Sequence, residues 1–227
     1  MGHNQTIIFR RLPVKFRTYK QAALQQLKID LGVLTLNVHG ALYGLSINGE
    51  EVHCFDNRTE SKVSTISTKG QTAKLVVVDK KGYIFLFTDK GRLVKSQKTF
   101  IPGNKKQKPI EFEDLGEHLA NRCEYSPALD SLITLHGDKL SILMPNKMRW
   151  KGLKVVACEI DSLKLCRAIT VMGNKIVACS DSKLKMYLPC TESTLYRKET
   201  LVLGETFRKS VVAIAGYAKS DQECEIG

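Results

Sequence analysis

An all-β fold assembled from small antiparallel sheets is what this sequence predicts, on three observations. Strand-length apolar runs recur at about eight- to twelve-residue intervals from Val33 to Tyr217. Short turns carrying Gly, Asp or Asn separate them. Several segments also repeat one scheme of strand, tight turn and strand, as arrays of stacked small sheets do.

The elements follow in order. QTIIFRRL (5–12) predicts a short strand ended by Pro13. TYKQAALQQLKI (18–29) is rich in Ala, Leu, Gln and Lys and predicts one short N-terminal helix with Thr18 as its cap. From Val33 the periodicity becomes that of strands: VLTLNVHG, ALYGLSI and EEVHCFD, with an Asn-Gly hairpin turn in INGEE.

KVSTIST (62–68) is followed by the most informative stretch, KLVVVDKKGYIFLFTDKGRLVKS (74–96). DKKG and DKG are turn chemistry, since Asp bonds the nearby backbone while Gly82 and Gly91 accept positive φ. Three strands joined so tightly must form an antiparallel meander. YIFLF is apolar throughout, which suits a strand covered on both faces.

Residues 101–127 interrupt this ladder with a Pro-Gly turn, the basic group Lys105, Lys106 and Lys108, and an acidic stretch in which DLGEHLANR suggests a short helix. The expectation is one domain over residues 1–227 with a surface insertion at about 101–127, where a partner would bind. The ladder resumes with DSLITLHG, KLSILMP, LKVVACEI, LCRAITVMG, NKIVACSD, KLKMYLP and SVVAIAGYAK, while NKMRWKG reads as a loop.

Such spacing admits a sandwich, a barrel or a propeller. KLVVVDKKGYIFLFTDKGRL, SLITLHGDKLSILMP and AITVMGNKIVACSDSKLKMYLP share the repeated scheme, and NKIVACSDSKLKMYLP resembles the inner strands of a WD-repeat (WD40-like) β-propeller blade. Ser180-Asp181 would be the turn and Tyr187 would hold the aromatic place, although no Trp-Asp pair stands at the family's spacing. The resemblance implies a degenerate propeller of repeated antiparallel four-stranded sheets, with a β-sandwich or barrel as the alternative. At about forty residues per blade the chain supplies roughly four or five. An incomplete ring is therefore expected, in a fragment or in a chain completed by a partner.

The chain's 227 residues carry a net charge of +12, which favours an anionic partner: nucleic acid, an acidic protein face or a membrane. Seven cysteines form no Cys-x-x-Cys pair, and Cys158, Cys166 and Cys179 lie in apolar runs that predict buried, metal-free thiols. The odd cysteine count and the absence of a secretory apolar region predict a reducing compartment, cytoplasmic or nuclear. MGHNQT matches the myristoylation pattern on Gly2, followed by a basic run from Arg10 to Lys20. The sequons at Asn4 and Asn57 are expected to be silent.

Chemistry is less visible. No phosphate loop, nucleophile elbow or zinc helix occurs. His53 and Cys54 are adjacent, but strand neighbours point to opposite faces and cannot act on one atom. No catalytic residue, cofactor, metal or small-molecule substrate is therefore expected. Basic clusters sit near turns, above all Lys105, Lys106 and Lys108, and Lys147, Arg149, Trp150 and Lys151, where an aromatic interleaved with cations suits a base and its phosphates. The first reading is a non-catalytic scaffold docking protein partners in an intracellular complex. The second is an accessory subunit contacting RNA or DNA, resembling the WD-repeat partner of a tRNA-modifying methyltransferase. The third is a membrane-peripheral adaptor acylated at Gly2.

Overall fold

In the computed structural model the described residues are 31–36, 41–56, 61–104, 109–147, 149–158, 168–172, 175–180, 183–189, 196–199, 216–218 and 224–226. Gly2, the expected strand at 5–12, the expected helix at 18–29 and Lys105, Lys106 and Lys108 lie outside them. Among the described residues every regular element is a β-strand. The described residues divide into two compact units, one within Pro13–Leu119 and one within Ala120–Gly227.

In the Pro13–Leu119 unit, strands β1 (Leu31–Leu36), β2 (Leu42–Ser46), β3 (Glu51–Asp56) and β4 (Ser61–Ser67) form one antiparallel sheet in chain order. Strands β5 (Ala73–Val78), β6 (Ile84–Thr88), β7 (Arg92–Ser96) and β8 (Phe112–Glu117) form a second. The 74–96 meander is thus the first three strands of this sheet, with Val77 opposite Phe85 and Leu86 opposite Val94. Tyr43, Leu45 and Val52 of the first sheet share a core with Val76, Ile84 and Leu86 of the second. Burial of such side chains contributes about 1.5–3 kcal/mol each. Phe85 and Phe87 alternate with Ile84 and Leu86 and are also buried, so β6 is covered on both faces as its composition requires.

Local chemistry sets the turns. The Asp79 carboxylate Oδ1 accepts the amides of Lys81 and Tyr83, both at 2.8 Å, closing the DKKG turn. Gly82 has φ +90°, and its carbonyl accepts the Phe100 amide at 2.8 Å. A Cβ there would lie 2.9 Å from the Phe100 carbonyl oxygen, so both the conformation and the close approach require glycine.

In the Ala120–Gly227 unit, β9 (Arg122–Ser126), β10 (Ser131–His136), β11 (Lys139–Asn146) and β12 (Arg149–Cys158) make one four-stranded meander. Strands β13 (Ala168–Met172), β14 (Lys175–Ser180), β15 (Lys183–Pro189) and β16 (Tyr196–Glu199) make another, and β17 (Gly216–Ala218) pairs with β18 (Cys224–Ile226). Ile133, Leu135 and Ile142 pack with Ile169, Ile176 and Ala178. Within the units, first strands of successive sheets are neighbours: β1 with β5, β9 with β13, and β13 with β17. Every sheet is filled by consecutive strands, so this is the propeller-like repetition of separate sheets, not a closed barrel.

The expectations for 101–127 need correction. DLGEHLANR is not helical: Phe112–Glu117 is the fourth strand of its sheet and Arg122 begins β9. Pairing decides this, because Glu113 lies opposite Lys95 and Gly116, at φ +113°, sits opposite Leu93 beside a register shift. Weak helix propensity yields to a ladder of main-chain bonds. The described part of the expected insertion thus contributes two sheet strands, Phe112–Glu117 and Arg122–Ser126, with an exposed turn at 101–104. NKMRWKG is likewise largely strand, since β12 already starts at Arg149.

Candidate binding surface

The turn from β11 to β12 is where the sequence-predicted residues can be located. Lys147 follows β11 with φ +46°. Asn146 pairs with Arg149 and Met144 with Lys154, leaving Pro145 alone opposite Trp150, Lys151, Gly152 and Leu153. Pro145 has no amide to give, and Gly152 supplies φ +68° in the bulging strand. Lys147, Arg149, Lys151 and Lys154 are all exposed there. Among the described residues no ion pair engages any of these four cations.

Trp150 behaves differently from its charged neighbours. Only 9% of its surface is accessible, so in this arrangement it anchors the bulge and offers no open ring for stacking on a base. Lys154 is not singled out by the sequence, because it lies in LKVVACEI, one of the strand-length apolar runs. Lys154 and Val155 are both exposed beside half-buried Leu153, so in–out alternation would not have found it.

Three cations of the other unit, Arg92, Lys95 and Lys69, are already engaged, whereas Lys74, Lys81, Lys90 and Lys98 are exposed. Arg92 Nε donates to Asp114 Oδ2 at 3.0 Å, and its Nη1 lies 3.6 Å from Glu117 Oε1. The hydrogen bonds from Arg92 and from the Gly116 amide hold the Asp114 carboxyl below its ordinary range. Lys95 is buried on β7: its Nζ lies 3.4 Å from Glu113 Oε1, donates to the Ser96 carbonyl at 3.1 Å and stands 3.8 Å from the centre of the Tyr83 ring. Lys69 pairs with Glu111 at 3.3 Å. The acidic strand β8 is therefore largely neutralised within its unit, whereas the basic strand β12 is not.

His53 and Cys54 take opposite faces of β3. His53 Nδ1 lies 3.1 Å from Thr65 Oγ1 and its Nε2 lies 3.6 Å from Glu51 Oε2. Cys54 enters the apolar core opposite Tyr43, whose phenol pKa is pushed up by burial and then by Cys54. On β9, burial raises the Glu124 carboxyl to about 7 and the neighbouring Cys123 thiol well above its ordinary value. Among the described residues no cluster of His, Cys, Asp and Glu has metal-binding form, and no helix is long and apolar enough to cross a membrane.

No protein-family model matches the chain, and no curated protein sequence does. Solved structures do. The Dos1 propeller aligns over 82% of this chain and 50% of its own, with a TM-score of 0.52 at 11% identity. A protein from Lactobacillus plantarum aligns over 75% of this chain and 55% of its own, with a TM-score of 0.53 at 12% identity. The chain thus spans about half the length of these structures. A glutaminyl cyclase from Myxococcus xanthus aligns over 74% of this chain and 68% of its own at 12% identity, but its TM-score of 0.47 is too low to bear on activity. The likeness is one of fold: repeated four-stranded sheets of propeller type.

Proposed function

We propose that this propeller-like chain is a non-catalytic scaffold that docks a protein partner in an intracellular complex, through the β11–β12 turn. One observation carries the reading: Lys147 in the turn and Arg149, Lys151 and Lys154 on the strand that follows are each exposed around a buried Trp150, and among the described residues no ion pair engages them. Within each unit, sheets stacked on a shared core give a firm support, and turns projecting from such a support suit recognition. Uncompensated cations fit an acidic protein face.

The test is a charge reversal of Lys147, Arg149 and Lys151 to Glu, assayed by quantitative mass spectrometry of proteins retained from nuclease-treated extract. Loss of a defined stoichiometric partner, with an unchanged melting temperature, is the expected result. Retention of the same partners by the reversed chain would remove the turn as the docking site. If retention disappears on nuclease treatment alone, the contact is with nucleic acid, the reading that a steep salt dependence would accompany.

A further inference from the structure

The outer edge of β12 has the features of a strand-addition site, and we propose that it accepts an acidic extended segment of a partner as a fifth strand of its sheet. This inference rests on the docking reading and gives it a mode. The sheet order is β12-β11-β10-β9, so β12 pairs with β11 on one side and with no described strand on the other. A strand in that position presents a row of main-chain amides and carbonyls able to continue the ladder.

Charge singles out this edge: β4, an outer strand of the other unit, carries the single cation Lys62, and β8 carries three carboxylates, whereas β12 holds three cations, with its regular pairing over Lys154–Cys158. Arg149, Lys151 and Lys154 are exposed along it, and Val155 beside them is 49% exposed. Edge lysines ordinarily oppose pairing between like edges. Here they also repel a second copy of a chain that carries a net charge of +12. A segment alternating carboxylates with β-branched residues would meet the cations and cover Val155 while its backbone pairs with the edge. Strand β8 is a poor rival site, because Arg92 and Lys95 already hold its Asp114 and Glu113. Nucleic acid fits the edge less well, because buried Trp150 offers no stacking face.

The probe is a synthetic peptide of ten residues alternating glutamate and valine, matched to the length of β12. Its backbone-blocked form is methylated at alternate amide nitrogens. Binding to the intact chain is followed by fluorescence anisotropy, and amide hydrogen exchange reports on residues 149–158. Saturable binding with slowed exchange in 149–158 is expected, weakened about tenfold or more by Lys151→Glu with Lys154→Glu. The methylated peptide is expected not to bind. Equal binding of the methylated peptide, or binding without protection of 149–158, would overturn strand addition while leaving the charge-based docking site in place. Failure of the unmethylated peptide to bind likewise sinks strand addition. Protection of the same residues by a single-stranded oligonucleotide, but not by the peptide, assigns the edge to nucleic acid and overturns the proposal. The docking reading itself falls separately, if the charge-reversed turn keeps the partners of the native chain.

Discussion

The Ala73 amide donates to the Gly49 carbonyl at 2.9 Å, tying the β2–β3 turn of one sheet to the first residue of the next. Gly49 holds φ +72°, and a Cβ on it would collide with the Ala73 carbonyl oxygen. The Thr68 hydroxyl strengthens this corner by donating to the Gln71 carbonyl at 2.6 Å, with the Glu50 carbonyl 3.0 Å away as the other acceptor in reach. Two stacked sheets are thus fixed by backbone as well as by side chains.

Gly49→Ala should therefore destabilise the Pro13–Leu119 unit by about 2–4 kcal/mol, through positive-φ strain and the collision with the Ala73 carbonyl. Urea unfolding followed by circular dichroism measures it. A loss below about 1 kcal/mol would show that the corner rearranges without cost.

Asp79→Ala removes the acceptor of two amides in a buried turn, and a loss of about 2–3 kcal/mol is expected. Asp79→Asn keeps a side-chain oxygen and should lose less. Equal losses for both variants would mean that carboxylate charge, and not the turn geometry, matters at this position.

Glu124 sets a pH dependence. Its folded pKa, about 7, lies above the ordinary glutamate value, so the folded state holds the proton more tightly than the unfolded state. Stability is then greatest below the unfolded value and falls as pH rises towards 7, by on the order of 2 kcal/mol after allowance for solvent screening. Melting curves from pH 4.5 to 8 should show this decline, and Glu124→Gln should flatten it. A decline of the same size in the variant assigns the effect to another group.

Trp150 and its charged neighbours should separate cleanly. Trp150→Ala is expected to cost about 3 kcal/mol or more in stability, because it empties a buried site. Reversal of exposed Lys147, Arg149 and Lys151 to Glu should change stability by less than about 1 kcal/mol. A Trp150→Ala variant as stable as the parent would return the ring to the surface, as a candidate for base stacking.

The candidate surface was legible in composition but not in arrangement. Lys147, Arg149 and Lys151 declared themselves by proximity to a turn, and they are exposed. Trp150 lies between two of them in sequence and reads as part of the same surface, yet it is buried. Alternation at a bulge cannot be read from spacing, because the offset depends on Pro145 standing opposite four residues. Arg92 and Lys95 illustrate the same limit, as basic residues near a turn that ion pairs with β8 remove from the free surface.

By itself the sequence determined the strands and their hairpins. Val76, Leu86 and Val94 lie in runs that only strands satisfy, and Asp79, Gly82 and Gly91 close turns by interactions within a few residues. Only tertiary structure decided that Phe112–Glu117 is a strand, since its partner β7 ends 16 residues earlier in the sequence, at Ser96, and its own propensity is weak. It likewise decided that, among the described residues, β12 is the outer strand of its sheet and its cations meet no carboxylate. Turns are encoded by neighbours in the chain, whereas edges and pairings are encoded by partners distant in it, whose identity no local pattern records.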